Sequence, residues 1–355
     1  MYNPSMTASP RFFLPREALA VPAALALVYL PFLGGPGPLA QRLPNLVLHV
    51  TAAWGVGALG AGFGLSAPAA LASALAFALH PRLTEVVCAP ENRPHILSAL
   101  LALASFAALR RAAAGRRGRW VVAAALAAGG LLLFAAVRSP ALRYARVVAP
   151  PLAGSSESPW EYPASPPPWG RLYVEPATRL WTMAVETAAS AVLLVKPGRP
   201  TTERAPVLRE GWLDPPVLPA AVLLLALPVA ALAMRRRLPA FSAGLAWVAL
   251  SLGTTALLAP LYEPVADRYL SVPMAGAAWA SASLLDAAAG RAGARRGAAF
   301  AALCAILLVP WALGTRMRAR EWSSEKALLF SEPGGPQRPR AAYRRALLLL
   351  AEGRP

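Results

Sequence analysis

Between His80 and Leu97 the chain gathers two of its three histidines, His80 and His95, with Glu85, Glu91 and Arg93. A second polar knot, Asp267-Arg268-Tyr269, lies far downstream. Ionisable groups gathered at the mouth of a membrane bundle mark a site more often than a random loop would, with a solvated connector as the plain alternative. Glu85 is the candidate acid or base, and a raised pKa at a low-dielectric mouth would suit it. His80 is the candidate proton relay or phosphate ligand. Arg93 and Arg268 are the candidates for holding an anion, because guanidinium binds oxyanions bidentately and keeps its charge. Each has a plainer alternative. Glu85 could orient neighbouring backbone, Glu91 or Glu85 could neutralise Arg93, and His80 could seal the carbonyls of the segment before it. Asp267 most simply pairs with Arg268, and His49 reads as an interhelical hydrogen bond. His80, Glu85 and His95 lack metal-ligand spacing, so no metal or other cofactor is expected; a divalent cation has no support in the pattern.

The elements that must hold these residues are apolar. With 57% hydrophobic and 15% charged residues, the chain falls well below the charged share of about 25% in soluble domains. The expectation is an all-α, polytopic membrane helix bundle. Spans of about 20 apolar residues, some shorter, are expected near 17–33, 45–61, 63–79, 94–110, 119–137, 215–234, 240–260, 270–288 and 297–316, about nine in all. The first is short and interrupted by Pro22, and an interfacial helix is its alternative. Pro81, Pro90 and Pro94 argue against regular helix across the His80 stretch. Its backbone polar groups must then meet water or protein.

The net charge of +18 does not point to nucleic acid. Its arginines cluster between apolar runs, at Arg110 to Arg119, Arg235 to Arg237 and Arg291 to Arg296, which is the positive-inside pattern. With those clusters inside, parity places the His80 stretch and the Glu263–Arg268 loop on the same outer side. Residues 138–214 then form an outer loop. Within it Ala177–Val195, carrying Arg179 and Glu186, is expected to lie on the surface as an amphipathic helix. Ala149–Trp169, with Trp160, Tyr162 and Trp169, is expected as a headgroup-level loop. No cleavable signal peptide is expected, since a small-residue cleavage site is missing before Gly34. Residues 1–316 are taken as the membrane domain and 317–355 as an outer tail, with a helix over Arg340–Gly353 that presents Tyr343, Leu347 and Leu350. Cys88 and Cys304 are not expected to meet.

Four motifs in order carry a resemblance. They are Asn45-Leu46-Val47-Leu48-His49; Phe77 to Pro81 with Thr84 to Val87 and Asn92-Arg93; Asp267 to Leu270 followed by Pro273 and Gly276; and Arg320-Glu321-Trp322 with Pro339-Arg340-Ala341. Over residues 40–355 the chain resembles the transmembrane-and-TPR-repeat protein O-mannosyltransferases of the GT-C glycosyltransferase class, as a bacterial-type relative. The resemblance implies transfer of a sugar from a polyprenyl-phosphate donor to a protein or glycan acceptor on the outer face of a bacterial inner membrane. It implies Glu85 and His80 as catalytic residues, and Arg93, His95, Asp267, Arg268 and Tyr269 as donor-binding residues.

Two departures stand beside it. Family members carry an acidic pair in the first outer loop, whereas this chain has only Glu17 before Glu85, and His95 stands where relatives often have an acid. A TPR array is also missing. These departures keep open a catalytically degenerate scaffold of the same fold. A transporter or flippase is the remaining alternative, disfavoured because the charges sit at one face and no internal repeat is visible.

Overall fold

A computed structural model of the protein describes residues 15–34, 39–113, 171–198, 200–201, 204, 206–257, 265–332, 345–350 and 353. The expected span at 119–137, the Ala149–Trp169 segment and Tyr343 lie outside them. Every regular element among the described residues is helical. The helices are α1 (Pro15–Leu33), α2 (Leu39–Gly62), α3 (Ala67–Ala78), α4 (Thr84–Cys88), α5 (Arg93–Ala113), α6 (Arg171–Val174), α7 (Pro176–Leu193), α8 (Val217–Met234), α9 (Pro239–Leu257), α10 (Ser271–Gly290), α11 (Arg296–Glu321) and α12 (Glu325–Ser331). A further helical segment covers 345–350, and Gly353 beyond it has a φ of 66°, the left-handed geometry of a helix stop.

Among the described residues, three stretches are long and apolar enough to cross a membrane: Arg42–Gly62, Val217–Met234 and Gly293–Glu321. A fourth is reached if Ala67–Ala78 and Pro81–Cys88, bent by 47° at their junction, count as one broken span. Leu19–Leu33 and Pro239–Gly253 are apolar but shorter. The outward faces of α8 and α11 expose Val222, Leu225, Val229 and Ile306, Val309, Leu313, continuous apolar surface of the kind that meets lipid or protein. Prolines at 22, 31, 44, 228 and 310 sit inside helices. In lipid, neighbouring helices can satisfy the backbone groups that such prolines release.

Helix α10 is the centre of the bundle, packed by α3, α5, α9 and α11. Its small residues permit this. Gly244 of α9 and Gly276 of α10 approach so closely that a Cβ on either would run into the other's carbonyl. Gly244→Ala should force the pair apart and cost about 1–3 kcal/mol, seen as a lower thermal-inactivation temperature in detergent. An unchanged temperature would contradict that approach. One turn on, Trp279 is fully buried and donates Nε1–H to the Val56 carbonyl at 2.7 Å. Its ring meets Phe63 and Trp247 edge-on, at 5.1 and 5.5 Å. Buried indoles need such an acceptor, and this one fixes α10 against α2.

The prolines of the His80 stretch argue against one regular helix, and the structure shows short helical turns in series. A 3-10 turn (Pro81–Leu83), α4, a second 3-10 turn (Pro90–Asn92) and α5 follow one another. Pro81 and Pro90 act as expected, since His80 and Ala89 before them are extended, with ψ of 121° and 111°. Pro94 does not. Arg93 is helical, with φ −49° and ψ −40°, because Pro94 falls in the first turn of α5, where a missing N–H costs nothing.

Candidate functional site

The freed carbonyls around those turns are claimed by three side chains from two other helices, α2 and α11, which place the segment in the bundle. Thr315 of α11 donates to the Leu79 carbonyl at 2.6 Å. His49 of α2 bonds the Ala78 carbonyl through Nε2 at 3.2 Å, so that nitrogen carries the proton. Asn45 donates to the Val86 and Ala89 carbonyls at 3.3 and 3.0 Å and accepts from Arg93 Nε at 2.8 Å. Thus Asn45 ties α2, the end of α4 and the start of α5 together. Buried carbonyls left without donors would cost about 1–3 kcal/mol each.

His80 is fully buried and does not seal the helix before it; His49 and Thr315 do that. Instead its Nδ1 accepts from the Arg82 backbone N–H at 3.3 Å, capping the turn that follows, while its ring stands edge-on to Trp311 at 4.6 Å. A relay through Nδ1 would first have to break this cap.

The His80 stretch and the Asp267 turn meet through paired ions from both. Arg82 Nη1 lies 2.9 and 2.8 Å from the two oxygens of Asp267, and Arg82 Nε donates to the Pro197 carbonyl. Arg268 Nη1 lies 2.8 Å from Glu85 Oε1. Adjacent residues in a turn point in different directions, so Asp267 and Arg268 each find a partner across the fold. The expected Asp267–Arg268 pair is therefore replaced by two pairs bridging about 185 residues of chain.

The pairs differ in depth. Arg82 and Asp267 side chains are 6% and 1% exposed, whereas Arg268 and Glu85 are 18% and 8% exposed. The Arg268–Glu85 pair forms the outer edge with Tyr269, whose ring lies 5.1 Å beneath the Arg268 guanidinium and 5.5 Å from the His95 ring. Asn92 Nδ2 adds a contact to Glu85 Oε1 at 3.3 Å. Arg93, His95, Arg268 and Tyr269 are all half-buried. Of the expected site residues, Arg268, Tyr269, His95 and the Glu85 carboxylate share one rim, Arg93 meets Asn45 at the start of α5, and Asp267 and His80 are more deeply buried.

Three contributors were not singled out from sequence. Arg82 had a visible signal, a third charge between His80 and Glu85 on a proline-started turn. Thr201 and Arg204 had none. They belong to the segment joining α7 to α8, where the Thr201 N–H donates to Asp267 Oδ2 at 3.4 Å, and Arg204 approaches Asp267 Oδ1 at 3.9 Å and Glu186 Oε2 at 3.4 Å.

Helix α7 falls on the expected amphipathic stretch. Burial pushes the Glu186 carboxyl above its usual range, against the pull of Arg204 and then Arg209. At its start, hydrogen bonds from Arg171 and then Thr178 hold the Glu175 carboxyl below its usual range. With the folded pKa depressed, the Glu175 anchor is complete above the ordinary carboxylate value, about 4.3, and is lost as pH falls through the folded value. Hydrogen-exchange protection over 171–178, corrected for intrinsic rate, should therefore drop in acid and become flat with pH in Glu175→Gln. An identical profile in both proteins would contradict the anchor.

Among the described residues, no group of three His, Cys, Asp or Glu side chains could hold a metal ion, and Cys88 and Cys304 are both free thiols. No protein-family model, curated protein or solved structure matches the chain.

Proposed function

We propose that the chain is the core of a GT-C-type membrane glycosyltransferase, a bundle of about nine spans in a bacterial inner membrane with its C-terminus outside. It moves a sugar from a polyprenyl-phosphate donor to a protein or glycan acceptor at the outer face. The observation that carries this reading is the 2.8 Å contact between Arg268 and Glu85 on a half-buried rim. A guanidinium and a carboxylate so placed hold each other ready for exchange. The donor phosphate takes Arg268, helped by Arg93, and Glu85 is released. Glu85 then accepts the acceptor's hydroxyl proton as that oxygen bonds to the sugar's anomeric carbon. The bond from that carbon to the phosphate oxygen breaks, its electron pair leaves with the lipid phosphate, and the guanidiniums hold the charge. Tyr269 lies beneath Arg268 and steadies its plane, and His95 packs edge-on against Tyr269.

The test is transfer of a labelled sugar from polyprenyl phosphate by the purified full chain, beside donor binding measured separately. Wild type should bind and transfer, Glu85→Gln should bind without transferring, and Arg268→Ala should do neither.

One observation favours the degenerate scaffold as a second reading. Asp267 is 1% exposed and already engaged by Arg82, Thr201 and Arg204, so it cannot serve as a second carboxylate for the absent acidic pair. Donor binding without turnover in wild type would select that reading.

A further inference from the structure

We propose that Thr201, Arg204 and Arg209, on the segment joining α7 to α8, form a binding site for a phosphate-class oxyanion, separate from the Arg268 rim. Among the described residues, three polar atoms on this segment are buried and without a hydrogen-bond partner: Thr201 Oγ1, Arg204 Nη1 and Arg209 Nε. The Thr201 residue is only 8% exposed. Buried donors without acceptors are costly, and guanidinium donors most of all.

The fold holds these residues around the same carboxylates. Thr201 and Arg204 both reach Asp267. Arg209 is fixed by its backbone N–H, which donates at 2.8 Å to Oγ1 of Thr182, one helical turn before Glu186 on α7. Glu186 feels the charges of both Arg204 and Arg209.

Neither carboxylate satisfies the arginines. Both oxygens of Asp267 are taken by Arg82, so Arg204 Nη1, at 3.9 Å, gains attraction but no hydrogen bond. Glu186 meets Arg204 at 3.4 Å, well beyond the usual 2.7–2.9 Å, approximately, of charge-assisted bonds. A tetrahedral oxyanion offers several acceptor oxygens to two guanidiniums and a hydroxyl. Glu186 holds the place of one oxygen loosely and is displaced when the ligand enters.

The proposal is tested without any sugar transfer, and the comparison of Arg209→Gln with wild type distinguishes this site from the Arg268 rim. Inorganic phosphate is titrated calorimetrically into the full chain in maltoside detergent, which carries no phosphate. Wild type should bind, Arg209→Gln should weaken binding about tenfold or more, and Glu186→Gln should tighten it. Arg209→Gln keeps the backbone N–H that Thr182 accepts, and an unchanged melting temperature verifies its fold. The titration is repeated in nanodiscs of phosphatidylcholine with and without phosphatidic acid. Weaker phosphate binding with phosphatidic acid identifies a lipid headgroup as the occupant, and equal binding identifies a soluble phosphate. No binding by wild type, or equal binding by Arg209→Gln and wild type, overturns the proposal.

Discussion

Asp267→Ala should lower the stability of the protein by about 3–5 kcal/mol, the cost of stranding one member of a buried ion pair. Arg82 is 6% exposed and gives Nη1 to both Asp267 oxygens while its Nε holds Pro197. Among the described residues, removing the carboxylate leaves that guanidinium buried with the Pro197 carbonyl as its hydrogen-bond acceptor. The Thr201 N–H and the Arg204 guanidinium lose a partner in the same step. The damage should therefore spread to the segment joining α7 to α8, seen as faster hydrogen exchange at 195–210 as well as a lower midpoint in detergent. Replacing both partners, Arg82→Met with Asp267→Leu, should recover most of the loss, because an apolar pair has no charge to strand. A double variant as unstable as Asp267→Ala would show that the pair's shape matters more than its charge.

The second large effect is chemical. Glu85→Gln should reduce sugar transfer about a hundredfold or more and leave the protein folded in the membrane. The amide keeps the shape of the carboxylate and a carbonyl oxygen that can still accept from Arg268 and Asn92, so the rim stays assembled. It cannot take a proton. Donor binding should persist or strengthen, because Arg268 is no longer held by an anion that the phosphate must displace. Arg268→Ala should lose transfer by a comparable factor, about 10²–10³, and lose donor binding with it. Transfer retained in Glu85→Gln would remove Glu85 as the base.

The elements themselves were legible because apolar length and arginine spacing are written residue by residue. The segments at 45–61, 215–234 and 297–316 coincide with stretches able to cross a membrane, and the amphipathic run from Ala177 became α7. The prolines at 81 and 90 marked breaks correctly. What they could not reveal is that the pieces between the breaks remain helical, since Thr315, His49 and Asn45 supply the missing donors from distant helices. The site was half legible for the same reason. Charged residues near a proline-broken turn stand out, so Glu85, Arg93 and Arg268 were named. The pairing among them depends on which way each side chain leaves a turn. Proximity in sequence suggested Asp267 with Arg268, whereas the turn sends Asp267 to Arg82 and Arg268 to Glu85. Thr201 and Arg204 sit in a stretch without periodicity, where only the folded chain shows what they touch.

The claim on which the account rests is that Glu85 and Arg268, far apart in the chain, work as one unit at the rim. A double-mutant cycle in detergent measures this most directly, using Glu85→Gln, Arg268→Met and the pair, with unfolding midpoints as the readout. The account predicts a coupling of about 1–3 kcal/mol, typical of side chains in contact. Additive losses, with no coupling outside experimental error, would contradict it.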